Sequence, residues 1–132
     1  CDRQAIVNAY DNTIVYTDAV LDDIITLLAR DAQQNGDATA MFYLSDHGES
    51  LGENGLYLHG FPYALAPAEQ AHIPALAWLS SNFDVDRGCL AGLQDNEYSQ
   101  DNVFDTVLGL FSVDTAVYRP DSDIFRGCRD AS

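Results

Sequence analysis

The residues best suited to chemistry lie between Ser45 and Gly60, a segment that holds four of the nine glycines. Asp46 and His47 are adjacent there, and a carboxylate oxygen beside an imidazole nitrogen suits Zn²⁺, and other transition metals less specifically. Consecutive strand residues point to opposite faces, so both side chains reach one cation only if the chain turns at once. Gly48 permits that turn, and the pattern therefore predicts a metal-binding pair.

Other side chains in and near this segment are further candidates. His59 follows His47 by twelve positions and can return to the same pocket, and Glu49 and Glu53 are acidic neighbours. The alternative is an ordinary turn, in which the aspartate caps a backbone N–H and the histidine is half exposed. His72 precedes a proline-containing strand, which favours a packed or surface position over a metal ligand.

No activated nucleophile is recognisable in the sequence. It contains no Gly-x-Ser-x-Gly elbow, no Cys-His arrangement and no P-loop, and none of its serines or threonines is marked as activated. The chain begins at Cys1 without an initiator methionine or a signal peptide, which indicates a piece of a longer protein. If the fold catalyses a reaction, we expect the attacking group to come from upstream.

Four elements are predicted to position these residues. Apolar residues recur at helical spacing from Ala5 to about Asn35, and again in a helix capped by Ser99 or Asp101. Their apolar faces comprise Val7, Tyr10, Ile14, Thr17, Leu21, Ile24 and Leu28 in the first helix, and Val103, Phe104, Val107, Leu108 and Phe111 in the second. The apolar runs 39–45 and 73–80 predict strands buried on both faces, as in a parallel sheet. Ligand sites of such α/β sheets form at the carboxyl ends of strands, which is where the Asp-His pair lies.

Composition limits the class of protein. The 132 residues include 21 acidic side chains and 6 basic ones, all arginine, for a formal charge of −15. A hydrophobic fraction of 47% is typical of a single globular unit and excludes a disordered acidic tail. No apolar run approaches the ~18 residues that span a bilayer. The negative charge argues against nucleic-acid binding through a basic patch.

Three cysteines leave two interpretations open. Cys89 and Cys128 are 39 positions apart, and a disulfide between them would stabilise the fold by about 4 kcal/mol through loop closure. Cys1 would then pair with a cysteine upstream of this chain. The alternative is that all three are reduced and behave as small buried hydrophobic residues.

The segment Ser45 to Gly60, with Ala66-Pro-Ala-Glu-Gln70 and Ile73-Pro74, resembles the lipid A phosphoethanolamine transferases. These include the transferable colistin-resistance enzymes and belong to the alkaline-phosphatase/sulfatase superfamily. Asp-His-Gly-Glu alone is shared with sulfatases, whereas its continuation to Tyr57-Leu-His59 is more specific to the transferases. Further similar segments are 8–13, 16–18, 100–110 and 118–120.

The resemblance implies a fold, a location and a site. Residues 1–132 would be the C-terminal part of an α/β/α sandwich, the catalytic domain at the periplasmic face of the bacterial inner membrane. Asp46 and His47 match two ligands of a catalytic zinc. His59 matches a histidine that contacts the phosphoryl group or a second zinc, and Glu49 would support the site or contact substrate. The nucleophilic threonine matches nothing here, and membrane contact would be made through missing segments.

The family pattern also implies disulfides and an activity. Cys89 and Cys128 match a bridged pair, and Cys1 matches half of a bridge to a missing upstream cysteine, as an oxidising compartment permits. The implied reaction moves phosphoethanolamine from phosphatidylethanolamine to a lipid A phosphate through a covalent threonine intermediate. The alternatives are another hydrolase of the superfamily and a non-catalytic acidic module that binds cations. Because its nucleophile lies elsewhere, we expect the isolated chain to be inactive.

Overall fold

A computed structural model of the chain describes residues 2–129, and it opens with a long helix, α1 (Arg3–Asn35). The Asp2 side chain caps its first turn by accepting from the Gln4 N–H, and Gly36 ends it with a φ of 79°. The predicted helix is confirmed. Its predicted apolar stripe is half-buried at most positions, whereas Ile14 is 52% exposed.

Strands β1 (Ala40–Leu44) and β4 (Ala75–Leu79) pair with each other in an antiparallel ladder, with Phe42 opposite Ala77. The prediction of parallel neighbours is wrong for this pair. Parallel strands need a crossover connection, usually a full helix, but the α-helix in the fully described stretch between these two strands is a single turn. The chain therefore returns alongside the strand it left. Burial on both faces is also wrong for the described residues, because of the ten strand positions only Leu79 is buried.

Both ends of this ladder are closed by backbone hydrogen bonds. Pro74 lies directly before β4, where its missing N–H costs no ladder bond, and its carbonyl accepts from the Ser45 N–H at 3.3 Å. At the other end the Ser80 N–H donates to the Thr39 carbonyl at 2.9 Å. The carboxyl end of β1, where the candidate site begins, is thus fixed to the start of β4.

The glycine-rich segment contains a small hairpin that the sequence did not indicate. Strands β2 (Ser50–Leu51) and β3 (Tyr57–Leu58) pair antiparallel, and the single-turn helix α2 (Ala68–Ala71) follows them. Two-residue strands carry too little alternation to produce a period-2 pattern. This hairpin nevertheless gives the loop a defined path.

The chain divides into two compact units, the first ending at Ser81 and the second beginning at Asn82. The second unit contains α3 (Arg87–Ala91) and α4 (Val103–Leu110). Ser99 caps the turn before α4 with its side chain, as predicted. The helix α3 was not among the elements predicted from the sequence.

The second unit buries polar side chains of α4. Asp105 and Thr106 are fully buried, whereas Phe104 and Phe111 of the predicted apolar face are exposed. Asp105 accepts from the Arg119 N–H at 2.7 Å and forms an ion pair with its guanidinium at 2.8 Å. Burial of a carboxylate is tolerated because charge-assisted hydrogen bonds compensate its desolvation.

The disulfide between Cys89 and Cys128 is present, which confirms that prediction. It joins α3 to the turn that ends at Cys128, and the Asp86 N–H donates to the Cys128 carbonyl at 2.7 Å. Cys1 and its predicted upstream bridge lie outside the described residues. Within residues 2–129, no helix combines the length and the apolar character that a bilayer span requires.

Replacement of both Cys89 and Cys128 by serine is expected to lower the free energy of unfolding by about 4 kcal/mol, because the bridge closes a loop of 39 positions. Guanidinium denaturation of the intact protein measures the difference. The matched comparison measures both proteins under strong reductant, where their free energies of unfolding should become similar. A loss below about 1 kcal/mol would contradict the predicted contribution of the bridge.

Candidate functional site

Asp46 and His47 lie immediately after β1, where the chain turns at once. The Ser45 hydroxyl donates to the His47 carbonyl at 2.7 Å, and the His47 N–H donates to Asp46 Oδ1 at 3.1 Å. This turn brings Asp46 Oδ2 within 3.7 Å of His47 Nε2. The two side chains predicted to act together are therefore adjacent in space, and both are substantially exposed.

The tautomer of His47 follows from one hydrogen bond. Its Nδ1 lies 3.0 Å from the Gly48 carbonyl oxygen. A carbonyl can only accept, so Nδ1 carries the proton and donates. In the neutral ring Nε2 then holds the lone pair, and this is the nitrogen that faces the Asp46 carboxylate. In histidines that bind metals, the ring nitrogen that does not bind the metal typically donates a hydrogen bond of this kind.

Gly48 is required for close approach to another segment. Its N–H donates to the Gln70 carbonyl at 3.0 Å, and a Cβ at this position would overlap the carbonyl oxygen of Glu69. The sequence predicted that Gly48 permits the turn after His47. The structure adds that the missing side chain lets the loop lie directly against α2.

His59 returns to the same place, as its spacing predicted. Its ring stacks on that of His47 with centroids 3.8 Å apart and an interplanar angle of 32°. Its Nδ1 lies 3.0 Å from Glu49 Oε2, so the carboxylate accepts from this nitrogen and leaves Nε2 on the other side of the ring. Glu49 Oε1 is buried without a hydrogen-bond partner among the described residues. These side chains form what we call the Asp-His cluster: Asp46, His47, Glu49 and His59.

Gln70 was not predicted to belong to this site, yet it joins the two arms of the loop. Its side chain is buried, and its Nε2 donates to the Ser50 hydroxyl at 2.8 Å and to the Leu58 carbonyl at 3.1 Å. No local signal distinguishes this glutamine from a solvated one. Only its neighbours in the fold reveal the role.

The remaining candidates have other partners. Glu53 accepts from the Leu51 N–H at 2.6 Å and lies 3.5 Å from the Arg3 guanidinium. Backbone N–H groups of Glu53 and Leu51 hold the pKa of the Glu53 carboxyl below its usual value, and the Arg3 charge acts in the same direction. His72 is exposed at the end of α2, which is one of the two positions, packed or on the surface, that were predicted for it.

Asp46 and His47 are a pair rather than a complete ligand set. Among residues 2–129, no three histidine, cysteine or acidic side chains converge as a metal-binding group. Zinc in proteins is almost always four-coordinate. Any zinc held by this pair would therefore need additional ligands from outside the described residues.

Comparison with known proteins gives consistent matches over the whole chain. Phosphoethanolamine transferase EptA of Escherichia coli K12 is 49% identical over 137 aligned positions, which cover 100% of this chain and 25% of the relative. The soluble domain of lipooligosaccharide phosphoethanolamine transferase A from Neisseria meningitidis superimposes with a TM-score of 0.92 at 44% identity, covering 99% of this chain and 40% of that structure. For the C-terminal periplasmic domain of EptC from Campylobacter jejuni the TM-score is 0.78 at 47% identity, with coverages of 100% and 41%.

The chain spans about a quarter of the length of the EptA relative that it matches. The sequence model of the sulfatase family matches residues 1–113, which include every member of the Asp-His cluster. The α/β fold class predicted from the sequence agrees with the solved domains. The chain therefore belongs to the sulfatase family, as the motif between Ser45 and Gly60 predicted.

Proposed function

We propose that the intact protein containing this chain transfers phosphoethanolamine from phosphatidylethanolamine to a phosphate of lipid A. The observation that carries the proposal is the Asp-His cluster, formed at the end of β1 in a chain whose relatives are named phosphoethanolamine transferases. One structural neighbour is named as a transferase of lipooligosaccharide, and another is named as a periplasmic domain. We place the reaction accordingly at the periplasmic face of the bacterial inner membrane.

The Asp46–His47 pair fits a zinc ion. Zinc–oxygen and zinc–nitrogen bonds are each about 2.1 Å long, so two donor atoms 3.7 Å apart can both bind one ion. Because His47 Nδ1 carries the proton, Nε2 has the lone pair for the metal, and Nε2 is the nitrogen that faces Asp46. The two further ligands would come from the rest of the protein.

When bound, zinc would lower the pKa of a hydroxyl nucleophile and offset negative charge on the transferring group. This chain contributes the carboxylate and the imidazole that hold it. By family resemblance the attacking hydroxyl belongs to a threonine outside this chain. Its oxygen would bond to the phosphorus of phosphatidylethanolamine while diacylglycerol leaves with the proton, and a lipid A phosphate would then take the phosphoethanolamine and free the threonine. Transfer to a lipid phosphate rather than to water distinguishes this reaction from that of a hydrolase.

The contacts of His59 support the role that we propose for it, contact with the phosphoryl group. Glu49 holds its Nδ1 and the stacked ring of His47 restricts its rotation, so the ring keeps one orientation and Nε2 is the nitrogen left for a ligand. Nε2 would orient a phosphoryl oxygen, and in its protonated form it would donate to that oxygen. A pre-positioned donor of this kind contributes a large part of the stabilisation of a charged transition state.

Replacement of His59 by alanine in the intact protein is expected to reduce transfer about 100-fold, the magnitude typical for loss of one such donor. Mass spectrometry of lipid A measures transfer in a host that lacks its own transferase. His72→Ala is the matched control and should retain wild-type transfer, because His72 is exposed outside the cluster. Lipid A left unmodified by the wild-type protein would overturn the proposed function. Full transfer by His59→Ala would overturn only the role of His59.

A further inference from the structure

Gln70 makes hydrogen bonds to both arms of the loop that carries the Asp-His cluster. It is 7% exposed, and its two side-chain hydrogen bonds reach Ser50 on β2 and the Leu58 carbonyl on β3. Its own carbonyl accepts from the Gly48 N–H. One buried residue thus binds the backbone next to His47 and the backbone next to His59.

The backbone at Leu58 needs such a restraint. Leu58 has a φ of 68°, in the left-handed region that side chains other than glycine and asparagine rarely adopt. Its side chain is 69% exposed, so packing contributes little to holding this conformation. The Leu58 carbonyl is the group on which Gln70 acts, and His59 is the next residue.

We propose that Gln70 is a positioning residue, which tethers the Leu58 carbonyl so that His59 remains stacked against His47. Its relevance to catalysis rests on the proposed function. Without the tether, Leu58 can relax to an ordinary negative φ, and that rotation would carry the His59 ring away from His47 and Glu49. Asp46 and His47, which are fixed by the turn after β1, would stay in place.

The test uses the full-length, zinc-loaded protein with Gln70 replaced by methionine, which keeps the length of the side chain and removes both hydrogen bonds. Displacement of a catalytic group by about 1 Å can cost 100-fold, so we expect kcat to fall 10- to 100-fold with zinc content unchanged. Gln34→Met changes an exposed glutamine on α1 and should match wild type. Gln70→Asn, which keeps an amide but is too short to reach Leu58, replaces the methionine variant if the latter does not fold.

A second measurement, NMR spectroscopy, reports the position of the His59 ring and does not depend on enzymatic activity. In protein labelled with ¹³C at the histidine Cε1, the His59 signal is identified by its loss in His59→Gln. Spectra are recorded about two pH units above the ordinary histidine pKa. The Gln70 variant should move this signal toward the position of a histidine that is not stacked on another ring, while the signal of His72 stays constant. Ser50→Ala leaves the tether to Leu58 intact and should shift the His59 signal less than half as far.

The outcomes separate the two proposals. A wild-type protein that transfers no phosphoethanolamine overturns the proposed function, while the His59 signal still decides the role of Gln70. An unchanged His59 signal in the Gln70 variant overturns the tether. A shift in Ser50→Ala as large as that in Gln70→Met also overturns it, because the effect would then belong to the buried polar pair rather than to Leu58.

Discussion

Simultaneous replacement of Asp46 and His47 by alanine is expected to remove zinc from the catalytic site of the intact protein and to lower transfer at least about 1,000-fold. A metal ion stabilises charge in a transition state by several kcal/mol, and ~4 kcal/mol corresponds to this factor. Both side chains are substantially exposed, so their truncation should leave the folded protein intact. Zinc content by elemental analysis and lipid A modification by mass spectrometry are the two measurements.

The matched control for this experiment removes one carboxylate and one imidazole elsewhere in the same unit. Asp23→Ala with His72→Ala satisfies this requirement, since Asp23 is exposed on α1 and His72 is exposed at the end of α2. The control should keep the zinc content and transfer of the wild type. Retention of zinc and transfer by Asp46→Ala/His47→Ala would show that the metal is held elsewhere, and would remove the basis of the proposed mechanism.

Replacement of Asp105 by alanine is expected to lower the free energy of unfolding by about 1–3 kcal/mol, the cost of removing one partner of a buried hydrogen bond, because the Arg119 side chain that loses its partner is itself 64% exposed to water. The carboxylate is fully buried and accepts three hydrogen bonds from Arg119, one from its backbone N–H and two from its guanidinium. Its removal leaves a cavity and an unpaired backbone N–H, and it deprives the guanidinium of its partner. Chemical denaturation of the intact protein measures the loss.

Asp95→Ala is the control for this second experiment, because Asp95 is an exposed aspartate of the same unit. It should change the free energy of unfolding by less than about 0.5 kcal/mol. Asp105→Asn should be intermediate, since one amide oxygen can still accept from the Arg119 N–H. A loss below about 1 kcal/mol in Asp105→Ala would mean that the buried carboxylate contributes no more than a surface ion pair.

Local features of the sequence predicted most of what positions the Asp-His cluster. The strand, the turn permitted by Gly48 and the return of His59 are encoded within a short stretch, where glycine placement and apolar runs carry physical information. The long helix was predictable for the same reason, because its periodicity repeats many times before Gly36. These properties depend on neighbours along the chain.

The features that sequence reasoning missed depend on partners distant along the chain. Gln70 lies 12 positions from Leu58 and 20 from Ser50, and Asp105 lies 14 positions from Arg119. A polar residue destined for burial has the same local pattern as one that remains in water. The antiparallel pairing of β4 with β1 was missed for a similar reason, because an apolar run does not indicate in which direction its strand pairs with another.

The bond between His47 and the Gly48 carbonyl has a consequence for how this proposed metal ligand tolerates mutation. Many metal-binding histidines depend on a neighbouring carboxylate, which a single codon change can delete. Here the acceptor is main chain, and every amino acid supplies one. Which nitrogen remains available for a metal is thus a property of the path of the loop, and substitution can disturb it only by rerouting that path.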